Sequence, residues 1–189
     1  MPVPQNVSLP YGIRDIKITP YSDTAGTVLG ATIIDLPNAQ TLSFSEAESF
    51  DTLRGDDRVV TTHGQGSTVD GELDAGGVSL DAWSAFCGGV VTETGTTPNR
   101  VTVMRKAATT NRPWFLVEGQ AISDSGGDLH CIIWRARATD AISGDLADAK
   151  FFITSLKITG LPLADDILYD FVQNETQTAI SPTVVLTLP

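Results

Sequence analysis

The stretch that decides the fold is residues 68–74, Thr68-Val69-Asp70-Gly71-Glu72-Leu73-Asp74. Polar and apolar residues alternate along it, and successive side chains of a β-strand point to opposite faces of the sheet. One face of the predicted strand carries Thr68, Asp70, Glu72 and Asp74. The other face is made of small or apolar residues that suit a core. The stretch therefore predicts a strand with one buried face and one acidic face.

The preceding stretch, residues 41–50, has a similar alternation. The small side chains of one parity are Thr41, Ser43, Ser45, Ala47 and Ser49. The apolar residues of the other parity are Leu42, Phe44 and Phe50. Together the two stretches predict a sheet with one apolar face and one face of small polar and acidic groups, which includes Ser43, Ser45, Asp70, Glu72 and Asp74. Two interpretations of this face stay open: an ordinary solvent-facing sheet, or the lining of an aqueous channel that small side chains keep smooth and carboxylates keep negative.

The remainder of the chain is typical of an all-β protein. Its 17 glycines and 10 prolines recur between short apolar stretches, as expected of strands joined by turns. The 189 residues contain no internal repeat and no long linker, so we expect a single domain over residues 1–189. The predicted strands cover residues 15–20, 28–34, 41–50, 58–62, 68–73, 100–106, 114–122, 129–136, 150–158 and 167–172.

Residues 79–87 predict the main helix. Ser79 suits the N-cap and Asp81 the first turn, where a negative charge favours the positive end of the helix dipole. A Gly-Gly pair follows, and glycine is best suited to a left-handed C-terminal cap. The helix face that should close one side of a β-sandwich carries Leu80, Trp83, Phe86 and Cys87. A second helical turn is predicted over residues 142–149.

Charge excludes several classes of partner. The chain has 23 Asp and Glu against 12 Lys and Arg, a formal net charge of −11. Affinity for DNA or for an anionic membrane requires a positive surface, because cationic side chains must displace the counterions of phosphates. The densest cationic clusters are only Arg105-Lys106 and Arg135 with Arg137. Stable binding to nucleic acid or to a membrane is therefore not expected.

Three features indicate the compartment. No apolar run approaches the ~18 residues of a membrane span, and residues 1–14 lack the basic start and apolar stretch of a signal peptide. Cys87 and Cys131 lie in apolar surroundings without paired spacing, which favours buried free thiols over a disulfide or a metal knuckle. We therefore expect a soluble protein made in the cytoplasm.

Residues 123–128, Ser-Asp-Ser-Gly-Gly-Asp, are the strongest hint of catalysis. They resemble the motif around the nucleophile of chymotrypsin-like proteases, with His63 or His130 offered as a base. Ser123 stands where that motif has its leading glycine, and the segment lies between two predicted strands, so we interpret it as a hairpin turn. Motifs for phosphate loops and zinc sites are absent. We expect no enzyme, and no catalytic, cofactor or metal site.

Four segments together resemble one known family. They are residues 45–61, which contain Leu-Arg-Gly-Asp, residues 69–74, residues 76–82 and residues 152–162. In the order of the segments and in their residue types they are similar to the major tail tube protein of long-tailed (siphovirus-type) phages, most closely of phages that infect actinobacteria. Members carry such a loop after an acidic strand, then a second acidic strand and a Gly-Gly-hydrophobic-Ser-Leu helix start. The resemblance covers roughly residues 28–90 and 150–172.

The resemblance implies a mainly β fold, a β-sandwich or open barrel with one flanking helix over residues 79–87. It also implies hexameric rings that stack into a tube, with the hairpin 41–74 joining a continuous β-barrel around the lumen. Expected partners are copies of the chain and the tape-measure, tail-terminator and distal tail proteins. Viral DNA would pass through the lumen without specific binding. The expected location is the virion tail, after synthesis in the host cytoplasm, with no cofactor and no membrane binding.

Two segments are expected to make contacts between copies. The loop at residues 51–58 would be mobile in the free subunit and ordered between rings. Its candidate contact residues are Asp51, Leu53, Arg54, Asp56, Asp57 and Arg58. The N-terminal arm, residues 1–14, should have little structure of its own, because its prolines deny backbone donors. It would reach a neighbouring copy through Val3, Val7 and Leu9, and the alternative is a frayed terminus.

Two alternatives to a tail tube stay open. One is another member of the same ring-forming fold, such as a secretion-system tube or a tail-terminator protein. The other is a β-sandwich binding module, or an enzyme whose site carries no recognised motif. Polymerisation into rings or tubes distinguishes the ring-forming proteins from the binding module and the enzyme.

Overall fold

A computed structural model describes residues 7–180 of the chain. Within that range the backbone forms eleven strands and one helix. The elements are β1 (Pro10–Pro20), β2 (Ile34–Asp35), β3 (Ala39–Leu42), β4 (Ser45–Gly55), β5 (Arg58–Gly76), α1 (Leu80–Cys87), β6 (Val90–Thr94), β7 (Val101–Arg105), β8 (Phe115–Ser123), β9 (Asp128–Ala138), β10 (Ile153–Gly160) and β11 (Tyr169–Asn174).

Nine of these strands form one antiparallel sheet. The order along it is β2-β1-β8-β9-β10-β5-β3, with β11 added beside β9 and β4 beside β5. β3 also contacts β1, so the sheet curls around a common core as a sandwich or open barrel. β6 and β7 form a separate hairpin next to α1. The predicted mainly β fold with one flanking helix is confirmed.

The core lies inside this curl and under α1. Alternate residues of the strands point inward, and Ile16, Val69 and Val117 are fully buried. Phe86 of α1 meets Phe115 of β8 edge to face, with 5.4 Å between the ring centroids. Burial of these side chains stabilises the fold because it removes apolar surface from water.

α1 has the caps that the sequence predicts. The Ser79 hydroxyl accepts a hydrogen bond from the Ala82 amide (3.3 Å), and Gly88 has a left-handed backbone conformation with φ 79°. The buried side of the helix differs from the expected one. The helix buries Ala82, Ala85 and Phe86. Leu80 and Trp83, which were expected on the buried face, are only partly covered.

The strand predicted over residues 28–34 is wrong. Only Ile34–Asp35 (β2) pairs with β1. Upstream, the Asp23 carboxylate accepts hydrogen bonds from the backbone amides of Thr27 and Val28 (2.9 and 2.8 Å) and closes a local turn. Such side-chain hydrogen bonds compete with a sheet ladder for the same amides, so these residues do not extend into a strand.

The strands predicted for the extended hairpin are arranged differently. The stretch 41–50 is divided, because β3 ends at Leu42 and β4 begins at Ser45. The strands predicted separately at residues 58–62 and 68–73 form one strand of 19 residues, β5. Its register against β4 shifts at two bulges, which let a long strand bend without ending. β6 lies in a stretch for which no strand is predicted.

The helical turn predicted over residues 142–149 is wrong. Ser143 and Ser155 exchange two backbone hydrogen bonds (2.9 and 3.0 Å), which requires an extended backbone. Ala149 has a positive φ of 57° in the turn that precedes β10. The pairing with β10 therefore takes the amides that a helical turn would use.

Cys87 and Cys131 are free and partly buried, in agreement with the predicted unpaired thiols. Burial raises the pKa of the Cys131 thiol to about 12, so this side chain is a neutral core group at physiological pH. Among residues 7–180, no helix is long and apolar enough to cross a membrane.

Candidate functional site

The acidic face consists of Ser43, Ser45, Asp70, Glu72 and Asp74. In β5 the acidic residues alternate with Val69 and Leu73, which are fully buried. Asp70 and Glu72 are exposed, and the predicted alternation is therefore confirmed. β10 continues the polar surface, because Thr159, Lys157 and Ser155 lie opposite the three acidic residues in the register.

All residues of the acidic face except Asp74 line an open depression of about 370 Å³. The other side of this depression is formed by Thr139, Lys157 and Thr159. The Thr159 hydroxyl donates to the Asp70 carboxylate (2.7 Å) and lies 3.1 Å from the Thr139 hydroxyl. The residues named from the alternation therefore share one surface, and neighbouring hydroxyls supplement it.

Ser43 continues the sheet edge between β3 and β4. Its backbone amide donates to the Glu72 carbonyl (2.8 Å), and its hydroxyl accepts from the Glu72 amide (2.7 Å). The side chain thus replaces a backbone carbonyl in the ladder, and the polar surface stays continuous. Side chains on one face of a strand are about 7 Å apart, so the carboxylates of β5 form a row. Within residues 7–180, no three His, Cys, Asp or Glu side chains are placed to hold a metal ion.

β4 and β5 extend beyond the rest of the sheet as a two-stranded ribbon, the hairpin arm (residues 46–67). Every residue of β4 except Gly55 is exposed, and so are residues 58–63 of β5. The exposed fractions of its large apolar residues are 61% for Phe50, 61% for Leu53, 53% for Val59 and 58% for Val60. A two-stranded hairpin with water on both faces is marginally stable by itself. The arm is therefore a large surface that the single chain leaves open.

Asp56 and Asp57 form the tip of the hairpin arm. Both have a positive φ (49° and 61°), the combination that matches a two-residue turn to the twist of its strands. The loop predicted over residues 51–58 is therefore corrected to a tight turn. β4 holds Asp51, Leu53 and Arg54, and β5 begins at Arg58. All six candidate contact residues are exposed near the tip, where both signs of charge occur.

A second polar group, the buried cluster, is centred on four buried side chains of β8 and β9. Its members are Glu118 and Gln120 of β8, Asp128 and His130 of β9, Asn174 of β11, and Thr178. His130 Nδ1 lies 2.7 Å from Glu118 Oε1, and His130 Nε2 lies 3.2 Å from Asp128 Oδ2. The Asp128 carboxylate also accepts hydrogen bonds from the Gln120 and Asn174 amide groups (2.5 and 2.8 Å). The Thr178 backbone amide donates to the same carboxylate (2.7 Å), which holds residues 174–180, the C-terminal strap, against the sheet.

The environment shifts the pKa values of two groups of the buried cluster, Asp128 and His130. Burial alone raises the pKa of the Asp128 carboxyl, but its four hydrogen bonds, led by that from Thr178, lower the pKa to about 2. The hydrogen bond to Glu118 raises the pKa of His130, burial opposes the rise, and Asp128 adds to it. His130 is only 4% exposed, and its charge is tolerated because both ring nitrogens face carboxylates. The cluster therefore fastens the strap.

No motif marks the buried cluster, yet a signal for it exists in the sequence. Glu118 and Gln120 alternate with Val117 and Gly119 in β8. Asp128 and His130 likewise occupy alternate positions at the start of β9, which one tight turn joins to β8. Polar residues at alternate positions of two strands joined by a turn lie side by side. The partners on the strap could not be inferred, because they are distant in sequence.

The Ser-Asp-Ser-Gly-Gly-Asp stretch is the turn between β8 and β9, as predicted. The Ser125 hydroxyl contacts the Ser123 hydroxyl (2.7 Å) and the Val7 carbonyl (3.2 Å). His130 is held by the buried carboxylates, and His63 lies in the hairpin arm. Within the described part of the chain, no histidine is hydrogen-bonded to Ser125.

The N-terminal arm predicted over residues 1–14 is partly corrected. Its first six residues, with Val3 among them, lie outside the described residues. Residues 10–14 belong to β1, and Pro10 and Tyr11 pair with Ser123 and Ile122 at the end of β8. The Leu9 amide donates to a hydroxyl of the β8–β9 turn (2.9 Å), so this part of the arm binds its own chain. Val7 and Leu9 are exposed (54% and 57%), and their contact with a neighbouring copy stays a prediction.

Comparison with known proteins adds one finding to this geometry. No family model matches the chain, and no curated protein matches it. Nineteen chains of solved structures match. They include a chain of the structure titled "Cryo-EM structure of the anti-feeding prophage (AFP) baseplate, 6-fold symmetrised", with 12% sequence identity and a TM-score of 0.45. The match covers 92% of this chain and 97% of that chain. A likeness at this level carries no functional conclusion here.

Proposed function

We propose that this chain is the subunit of a siphovirus-type phage tail tube. Copies form hexameric rings, the rings stack, and viral DNA passes through the lumen during ejection. The hairpin of β4 and β5 carries this proposal, because the acidic face lies at its base, and the hairpin arm beyond it has exposed apolar side chains and an open strand edge. The resemblance of residues 45–61 and 69–82 to tail tube proteins supports the same function.

Assembly would pair the open strand edge of the arm and cover its exposed apolar side chains. Within residues 7–180, β4 pairs only with β5, so its outer edge presents unpaired backbone groups. Exposed edges bind other strands, and a ring of hairpins closed into one barrel has no edge. The register places Phe50 and Val59 on the face opposite the acidic one. A neighbouring copy would cover them and gain roughly 25 cal/mol per Å² of buried apolar surface.

The acidic face would form the inner wall of that barrel. Carboxylates repel phosphates over a screening distance of about 10 Å at 0.1 M salt, so DNA would pass the wall without adhering to it. Ser43 and Ser45 would keep the wall smooth. The tape-measure, tail-terminator and distal tail proteins would be further partners of the tube. The chain would then be located in the virion.

Electron microscopy of the purified protein, over a range of concentrations and incubation times, tests this function. A tail tube subunit should form hollow tubes built of stacked rings. Rings that never stack would favour the tail-terminator alternative. A protein that stays monomeric at every concentration, and also in the presence of tail initiation complexes, would contradict both and favour a binding module.

The role of the acidic face can be tested separately in phage particles. Replacing Asp70, Glu72 and Asp74 by Lys reverses the charge of the proposed wall, and DNA ejection should become slower because each ring would attract phosphates. Replacement by Asn is the matched control, since it removes charge without adding attraction. Equal ejection times for particles carrying the Lys variant and the wild type would reject the lumen assignment.

A further inference from the structure

Trp114, Arg135 and Arg137 form a cationic site on the sheet. The guanidinium carbons of Arg135 and Arg137 lie 4.5 and 3.8 Å from the centroid of the Trp114 ring. Trp114 is 8% exposed, and both arginines are partly exposed. Stacking on an indole favours a fixed position of the guanidinium plane. The site therefore presents two cations side by side in a chain whose net charge is −11.

These two cations lack an anion. Within residues 7–180, the ion pairs do not include Arg135 or Arg137. The Nε atom of each is buried and has no hydrogen-bond partner in the same range. Burial lowers the pKa of the Arg137 guanidinium, and the neighbouring charge of Arg135 lowers it further. Guanidinium groups bind planar carboxylates through two parallel hydrogen bonds, so a carboxylate fits the site.

Strand directions place the cationic site away from the tip of the hairpin arm, because Arg137 is level with Thr159 of β10 and Asp70 of β5. β5 runs away from the tip, and β10, β9 and β8 follow in antiparallel succession. The β8–β9 turn therefore points the same way as the tip. Trp114 precedes β8 and Arg137 lies one residue before the end of β9, so both are at the other end of this strand pair. Copies stacked head to tail along the strands bring the tip of one towards the cationic site of the next.

We propose that the Asp56-Asp57 turn of one copy binds the Arg135 and Arg137 guanidinium groups of the next copy in the stack. The inference rests on the proposed tail tube and names the surface that receives the hairpin arm. Asp56 and Asp57 are the outermost residues of the arm, and a two-residue turn fixes their positions. The contact joins two different surfaces, so it can repeat from ring to ring without closing on itself.

A second copy of the chain suits this site better than nucleic acid does. Binding to a phosphate backbone needs a stripe of several cations, and each cation adds to the counterions released. Arg135 and Arg137 are an isolated pair in an acidic chain, which repels a polyanion at long range. Two carboxylates on a rigid turn can bind Arg135 and Arg137 at short range, because this contact does not need a longer stripe of cations.

The first test removes the two negative charges and keeps the turn. Asn adopts left-handed conformations as readily as Asp, so Asp56→Asn combined with Asp57→Asn preserves the hairpin. This variant should form rings as the wild type does, with a roughly tenfold higher critical concentration for tube growth, measured by light scattering and electron microscopy. The matched control is Asp165→Asn with Asp166→Asn, an exposed acidic pair in which Asp166 also has a positive φ (64°). It should polymerise as the wild type does.

The second test exchanges the charges. Asp56→Arg with Asp57→Arg should abolish tube growth, and adding Arg135→Glu with Arg137→Glu to the same chain should restore it. A fourfold variant that folds by circular dichroism and forms rings but no tubes overturns the inference. If the arginine substitutions prevent folding, the asparagine pair decides alone. If the asparagine variant has the same critical concentration as the wild type, the inference is overturned and the tube proposal stands. If the wild-type protein itself forms neither rings nor tubes, both the inference and the tube proposal are overturned.

Discussion

The acidic face and the buried cluster place carboxylates in opposite surroundings. Asp128 is fully buried and accepts four hydrogen bonds, so the fold depends on its charge. Asp70 is exposed and accepts one from Thr159, beside two further carboxylates on the same strand face. The buried charges hold the strap to the sheet, whereas the exposed row repels itself and adds little to the stability of the single chain. The exposed row is therefore the region whose role depends on the proposed assembly.

The largest expected effect separates the two regions by stability. Asp128→Ala leaves several buried donors and the His130 charge without an acceptor, and it should lower the free energy of unfolding by about 3 kcal/mol. Asp70→Ala is the matched control and should change it by less than about 0.5 kcal/mol, as is usual at the surface. Urea denaturation measures both. If both variants lost the same free energy of unfolding, the claim that the buried cluster stabilises the fold and the acidic face does not would be contradicted.

The free energy of unfolding should depend on pH through two groups of the buried cluster, His130 and Asp128. The pKa of His130 is raised in the fold, so the folded state holds the proton more tightly than the unfolded state does. This stabilisation is complete below the unfolded pKa of about 6.5 and is lost as pH rises through the folded value. Asp128 acts in the opposite direction, because its lowered pKa, about 2, removes stability only as pH falls below about 4.

Urea unfolding between about pH 6 and pH 9 checks the histidine part of this expectation. The wild-type free energy of unfolding should fall with rising pH through the folded pKa of His130, and His130→Gln should flatten the profile. His63→Gln, in the exposed hairpin arm, is the control and should keep the wild-type profile. A steep profile that persists in His130→Gln would show that another group carries the pH dependence.

The smallest expected effect concerns the acidic face. Replacing Asp70, Glu72 and Asp74 by Asn removes like charges from one strand face, and it should raise the free energy of unfolding by roughly 0.3 kcal/mol at low salt. The gain should shrink as salt screens the repulsion. The variant should still polymerise. A loss of more than about 1 kcal/mol, roughly twice the usual surface effect, would mean that the fold itself needs these charges.

Local signals in the sequence predicted much of the fold. Ser79 and Gly88 fix the ends of α1 through their own backbone and side-chain chemistry, so the helix could be placed. The alternation over residues 68–74 depends only on strand geometry, and the buried and exposed residues follow it. The Ser125 turn was predictable for the same reason. These features depend on residues close together in the chain.

The remaining features depend on distant residues or on competing hydrogen bonds. The Asp23 side chain ends the extended course that the apolar residues 28–34 favour. Ser143 pairs with Ser155, which prevents the predicted helical turn. The partners of Asp128 include Thr178, 50 residues away. Trp114 meets Arg135 and Arg137 only because β8 lies beside β9. Apart from the Asp23 turn, these contacts join residues at least 12 positions apart in the chain, so they have no local sequence signature.

The most direct test of the central claim is a cryo-electron microscopy reconstruction of the assembled protein at side-chain resolution. It would show where the acidic face lies relative to the axis of the assembly. The proposed tail tube predicts a continuous barrel of hairpins, with Ser43, Ser45, Asp70, Glu72 and Asp74 on its inner wall and Phe50 covered by a neighbouring copy. Tubes or rings that carry Asp70, Glu72 and Asp74 on their outer surface would contradict the account.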